Sequence, residues 1–114
     1  MRVYISGKYS GKTKREVEEN IALAENYASY LLDEGYIVFC PHLFHYIDRL
    51  CNRPKSFWLK QGKEWLKVCD AVFFLPGWEE SEGAKEEYKL AKELGLKIMR
   101  GERYNGPSRE ILEN

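Results

Sequence analysis

The chain has 114 residues, 44% of them hydrophobic and 32% charged, with 18 basic and 18 acidic side chains in balance. This size and composition suit one globular domain over residues 1–114, with a core that needs neither disulfide nor metal staples. A formal net charge of zero gives no general attraction to nucleic acid or to an anionic membrane. No apolar run approaches the roughly 18 residues of a membrane span. The first strand is expected to open at Arg2, which leaves no room for a leader, and Cys40, Cys51 and Cys69 are odd in number with no C-x-x-C pair. Reduced thiols and a cytoplasmic setting are the expectation.

Residues 2–6 (RVYIS) form a short β-rich run ending at Gly7, and residues 7–13 (GKYSGKT) a glycine-bounded loop. Thr13 and Glu16 match a capping box, so a helix should start there, with Val17, Ile21, Ala24, Ala28 and Leu31 as its buried stripe and Gly35 as its stop. Residues 36–40 (YIVFC) read as a second strand closed by Pro41, and residues 42–53 as a helical turn plus loop. Pro54 suits the first turn of a helix reaching Val68, to which Phe57, Leu59, Trp65, Leu66 and Val68 give apolar surface. A buried strand follows at residues 71–75, then a helix opening near Ser81. Residues 97–99 read as a last strand and residues 107–112 as a final helical turn. Alternating strands and helices predict an α/β fold: one small doubly wound domain, flavodoxin- or Rossmann-like, with a mostly parallel sheet of four to five strands.

The loop at residues 7–13 invites a P-loop reading, but the Walker pattern needs one more residue between its glycines, and Ser6 stands where the first glycine belongs. The physics of the loop still favours an anion. Gly7 and Gly11 permit close backbone approach, the amides at the helix start carry partial positive charge, and Lys8 and Lys12 add full charges. A plain strand-to-helix turn would use the same glycines. Cys40, His42, His45 and Cys51 match no zinc spacing, so no metal is assigned. His42, just after the second strand, reads as lining the crevice at the sheet's C-terminal edge, or as a half-buried histidine bonded to a loop carbonyl.

In the helix after Ser81, Ala84, Glu87, Ala91 and Leu94 share one face. Three are apolar and should face the sheet, so Glu87 interrupts an inner line and looks towards the ligand crevice of an open α/β sheet. The alternative is an amphipathic helix whose polar margin spreads to Glu87. Glu80, Glu82, Glu86 and Glu93 read as solvated, with Glu86 and Lys89 an i, i+3 pair. Ser81 reads as an N-cap alone, or also, with the nearby amides around Gly83, as a second anion site facing the first loop. Tyr9 and Trp78 fall in the two loops that should flank the crevice, where a ring can stack on a base. With no basic excess around them, a nucleoside-sized ligand fits better than a polynucleotide.

Three stretches together, VYISG at residues 3–7, PHLF at residues 41–44 and CDAVFFLPGWEESEGAKEE at residues 69–87, resemble the nucleoside 2-deoxyribosyltransferase-like superfamily. That superfamily includes 2′-deoxynucleoside 5′-phosphate N-hydrolases and uncharacterised bacterial, archaeal and phage relatives that share the PHL, CD and SEG-x-x-x-E elements. The resemblance implies an N-glycosidic-bond hydrolase or deoxyribosyltransferase without cofactor or metal. Its implied catalytic residues are Glu87 as nucleophile and Tyr4, which orients that glutamate. Gly7 and Gly11 fall on glycines of the loop that wraps the substrate's 5′ end, Ser81 on a phosphate-binding serine, and His42 on a crevice histidine. The expected substrate-binding set is Gly7, Lys8, Tyr9, Ser10, Gly11, His42, Gly77, Trp78, Ser81 and Gly83. The resemblance also implies a small nucleoside or nucleotide as partner and a homodimer or higher homo-oligomer. One position departs from the pattern. The characterised enzymes carry a base-assisting aspartate eight residues before the one matched by Asp70, and here that position is Gly62. Asp48 and Glu64 are the candidates to replace it, and a nucleotide-binding or sensing domain without catalysis is the alternative.

Overall fold

The computed structural model describes residues 1–101 and the backbone of Glu110–Glu113. Its elements run β1 (Arg2–Ser6), α1 (Lys14–Asp33), β2 (Ile37–Phe39), a 3-10 turn (Pro41–Leu43), α2 (Phe44–Cys51), α3 (Lys55–Leu66), β3 (Ala71–Phe74), a 3-10 turn (Trp78–Glu80), α4 (Glu82–Leu94), β4 (Lys97–Gly101) and β5 (Glu110–Glu113). The sheet order is β2-β1-β3-β4-β5. Strands β1 to β4 pair in parallel and β5 lies antiparallel to β4. The chain winds outward from β1 to both sides, so the order reverses between β1 and β3. At such a switch point the connections leave in opposite directions and open a crevice beyond the strand ends.

Alternation along β1 divides the core. Val3 and Ile5 join Ala24, Tyr27 and Leu31 of α1 with Ala71 and Phe73, whereas Tyr4 joins Leu66, Val72, Phe74, Ala91 and Ile98 under α3 and α4. Helices thus cover both faces, as parallel strands require. Each fully buried large side chain contributes about 1.5–3 kcal/mol. The helix ends follow the sequence signals. Thr13 Oγ1 accepts from Glu16 N at 3.1 Å, and Ser81 Oγ from Ala84 N at 3.1 Å. Gly35 and Gly95 end α1 and α4 with φ of +94° and +71°, where a side chain would be strained.

Several expectations are corrected. The expected helical turn at residues 107–112 is instead strand from Glu110 onward, because β5 pairs the open edge of β4; residues 107–109 lie outside the described residues. Residues 42–53 are more regular than a turn and loop, since a 3-10 turn runs directly into the helix α2. Leu94, expected on the inner line of α4, is exposed at the helix end, beyond the edge of the sheet core, while Ala84, Glu87 and Ala91 are buried. In α1 Tyr27 takes the inner position between Ala24 and Leu31, and Val17 and Ala28 are only half-buried. Trp65 and Val68 lie exposed around the buried Leu66. Glu86 pairs with Lys63 across the α3–α4 contact at 2.8 Å, not with Lys89 on its own helix.

Candidate active site

Tyr4 and Ser6 are two residues apart on β1, so both point to the α3–α4 face of the sheet. Glu87, on the inner line of α4, meets them there. Tyr4 Oη donates to Glu87 Oε2 at 2.5 Å, and Ser6 Oγ donates to Oε1 at 2.6 Å. Each carboxylate oxygen therefore has its own short donor, and Glu87 is only 7% exposed. Burial, the largest influence, raises its pKa above the ordinary carboxylate range; the Ser6 and Tyr4 hydrogen bonds and the Lys63 charge pull the other way. Burial and the Glu87 carboxylate push the Tyr4 phenol well above its usual value, so it stays a donor. The result is a fixed, largely dehydrated carboxylate whose anionic form depends on two hydroxyls.

Glu87 lies on the wall of a cavity of about 270 Å³. Small-molecule sites span about 300–1,000 Å³, and this cavity sits just below that range, at the scale of a small ligand. Tyr4, Ile5 and Ser6 of β1 line it with Gly7, Tyr9 and Ser10 of the following loop, and α4 adds Gly83, Ala84 and Glu87. The rest of the wall comes from Pro41, His42, Phe44, His45 and Asp48 after β2, and from Arg53, Lys55, Trp58 and Leu59 around the start of α3.

Of the residues expected to bind substrate, Gly7, Tyr9, Ser10, His42 and Gly83 border this cavity with Tyr4 and Glu87. Lys8, Gly11, Gly77, Trp78 and Ser81 are not among its lining residues. The two loops do meet, because Lys8 Nζ reaches Glu80 Oε1 at 2.9 Å. Trp78 stacks on Tyr88 with ring centroids 4.9 Å apart and tilts against Phe74 at 4.8 Å. Ser81 Oγ accepts from Ala84 N as the N-cap of α4. Gly77 takes φ +85° at the turn into residues 78–80. At Gly7 a Cβ would stand 2.7 Å from Leu75 Cδ1, and at Gly11 2.5 Å from Glu16 Cβ, so close packing of the loop on β3 and α1 requires both glycines.

His42 Nε2 lies 3.2 Å from the Lys8 carbonyl, which can only accept, so that nitrogen carries the proton and Nδ1 is a bare acceptor. Nδ1 has no protein partner among the described residues. Burial lowers the His42 pKa to about 4 against the smaller opposing pull of the Lys8 and Gly7 carbonyls, so the ring is neutral at neutral pH. Tyr9 Oη sits 2.7 Å from His45 Nδ1 and links the first loop to α2. Asn20 Nδ2 also holds that loop, donating to the Tyr9 carbonyl at 2.9 Å. Among the described residues no cluster of three or more His, Cys, Asp or Glu side chains is placed to hold a metal.

Sequence reasoning did not assign Ser6, Phe44, His45, Arg53, Lys55, Trp58 or Leu59 to the site. Ser6 carried a usable signal, since a strand that aims Tyr4 at a ligand must aim its i+2 neighbour the same way. The α2–α3 residues carried none, because their place on the cavity depends on how that irregular segment folds back. Of the two replacement carboxylates, Asp48 borders the cavity, and its Oδ1 accepts from Trp58 Nε1 and from Arg53 N, both at 2.8 Å. Glu64 is exposed and tied to Lys67 at 2.8 Å.

The family model described as Domain of unknown function (DUF4406) matches residues 1–100. The chain belongs to the DUF4406 family. No match is found among curated protein sequences. Among solved structures, a 2-deoxyribosyltransferase from the psychrotolerant bacterium Bacillus psychrosaccharolyticus superposes on this DUF4406 chain with a TM-score of 0.59 and 21% identity. The match covers 92% of the present chain and 77% of the other. The DUF4406 fold seen here is therefore the fold of that transferase. No helix among the described residues is long and apolar enough to cross a membrane.

Proposed function

We propose that this protein breaks the N-glycosidic bond of a nucleoside or nucleoside 5′-monophosphate, with Glu87 as nucleophile at C1′. A Glu87 carboxylate oxygen forms the new bond to C1′ as the C1′–N bond breaks, and that bond's electron pair leaves with the base nitrogen. Water or a second base then attacks C1′ and returns the carboxylate, giving hydrolysis or transfer. The scheme parallels the retaining glycosidases, which use a carboxylate nucleophile and an oxocarbenium-like transition state. One observation carries this reading: a buried glutamate with both oxygens held by hydroxyl donors at a cavity on the scale of a small ligand. Such a group has no role in solubility, and burying it works against stability.

Tyr4 and Ser6 keep Glu87 ionised and oriented. Gly7 and Ser10 of the first loop and Gly83 at the start of α4 receive the 5′ end, with His42 beside them. Tyr9, Phe44 and Trp58 offer ring surface to the base. Asp48 is the second carboxylate on the cavity and serves the departing base. The shared fold with a 2-deoxyribosyltransferase supports the substrate class. The test is base release from a panel of ribo- and deoxyribonucleosides and their monophosphates, followed by chromatography. Wild type releases base from at least one of them, and Glu87→Ala does not. Equal release by both proteins refutes the proposal. Tight ligand binding with no release by wild type favours the binding-domain alternative instead.

A further inference from the structure

We propose that Gly62 is a positioning residue for Glu87: the bare backbone of α3 at this point keeps the Tyr4 hydroxyl on the carboxylate. Gly62 lies buried within α3, where glycine is the least favourable residue except proline. Its backbone does not explain it, because among the described residues the glycines with positive φ are Gly35, Gly77 and Gly95. Space does. A Cβ at position 62 would overlap the Tyr4 hydroxyl oxygen and stand 3.1 Å from Glu87 Oε2.

Tyr4 has little freedom to yield. It is 1% exposed, sits on the interior strand β1 between β2 and β3, and packs its ring on Phe39 with centroids 5.8 Å apart. Its hydroxyl moves only if the whole ring tilts, which takes it away from Oε2. The backbone of α3 therefore closes over the Tyr4–Glu87 hydrogen bond from the side opposite the strand. With α3 this close to β1 in this chain, a Cβ at position 62 does not fit while that bond stands, and the second carboxylate on the cavity, Asp48, comes from α2.

This inference concerns the state of Glu87; its effect on turnover rests on the nucleophile reading above. The experiment uses Gly62→Ala, Tyr4→Phe and the double variant, with the Glu87 carboxyl followed by 13C NMR across a pH titration. Tyr4→Phe removes the hydroxyl that both makes the bond and meets the new methyl. Gly62→Ala alone is expected to move the Glu87 midpoint upward about as far as Tyr4→Phe does. Adding Gly62→Ala to Tyr4→Phe moves it little further. Melting temperatures follow the same logic. Gly62→Ala lowers Tm in the wild-type background, but holds or raises it in the Tyr4→Phe background, where alanine's better helix propensity is no longer opposed. Equal and additive shifts in both backgrounds, or no shift from Gly62→Ala, overturn the proposal. If Gly62→Ala alone does not fold, a folded double variant supports it, and failure of both to fold overturns it. None of these readouts needs a substrate, so they stand whatever the base-release assay gives.

Discussion

Acidification should unfold this protein through His42, by an amount that the site itself sets. The ring is buried and neutral, with a pKa lowered from 6.5 to about 4. The unfolded chain therefore takes up a proton at a pH where the folded chain refuses it. The stabilising contribution is complete above pH 6.5 and is lost as pH falls from there through 4. Linkage over that interval gives a loss of roughly 2 kcal/mol by pH 5 and roughly 3 kcal/mol by pH 4. Glu87 opposes it: its raised pKa lets the folded state bind a proton more readily than the unfolded chain, so it adds stability as pH falls. Wild type should therefore be compared with His42→Gln, which keeps a polar side chain but does not titrate. Urea unfolding at pH 7, 5 and 4 is the assay, and the Glu87 contribution largely cancels in the difference. The wild type should lose roughly 2–3 kcal/mol more than the variant between pH 7 and 4. Parallel loss in the two proteins would refute a buried neutral imidazole.

Other consequences involve the carboxylate and its partners. Glu87→Gln removes a charge that burial disfavours while keeping an acceptor for Tyr4, so it should raise Tm by a few degrees at neutral pH while abolishing turnover; a drop in Tm would contradict the assigned burial cost. Ser6→Ala removes one donor from the anion, an interaction of about 1.5–3 kcal/mol for charged partners, and should lower the rate at pH 7 by about 10- to 100-fold. Because Glu87 then ionises at higher pH, the loss should shrink as pH rises, and a pH-independent loss would argue against this role. Asp48→Ala frees the Trp58 indole, so it should alter tryptophan fluorescence and cut base release at unchanged Tm within a few degrees. Unchanged turnover would remove Asp48 from the mechanism.

The architecture was legible because its signals are local. Thr13 and Glu16 announced α1, Gly35 marked its end, and the apolar run from Ala71 pointed to β3. The placement of Glu87 followed from helical spacing alone, and Tyr4 came from the family resemblance. What escaped was non-local. Whether residues 110–113 form strand or helix depends on an open strand edge supplied by β4. The cavity wall from Phe44 to Leu59 depends on α2 folding back over the β1 loop, which pairs such as Tyr9 with His45 secure. Gly62 shows the difference most clearly. Against the family resemblance it is a departure from an expected aspartate; in the fold it is the space that the Tyr4 hydroxyl occupies.

The most direct test of the central claim is to trap the intermediate. Wild type is mixed with a deoxynucleoside that it cleaves, quenched in acid within the first turnover, digested and examined by peptide mass spectrometry. The predicted result is a deoxyribosyl ester on Glu87 together with an early burst of free base equal to the enzyme present, both absent from Glu87→Gln. Free base appearing at the wild-type rate from Glu87→Gln would contradict the account.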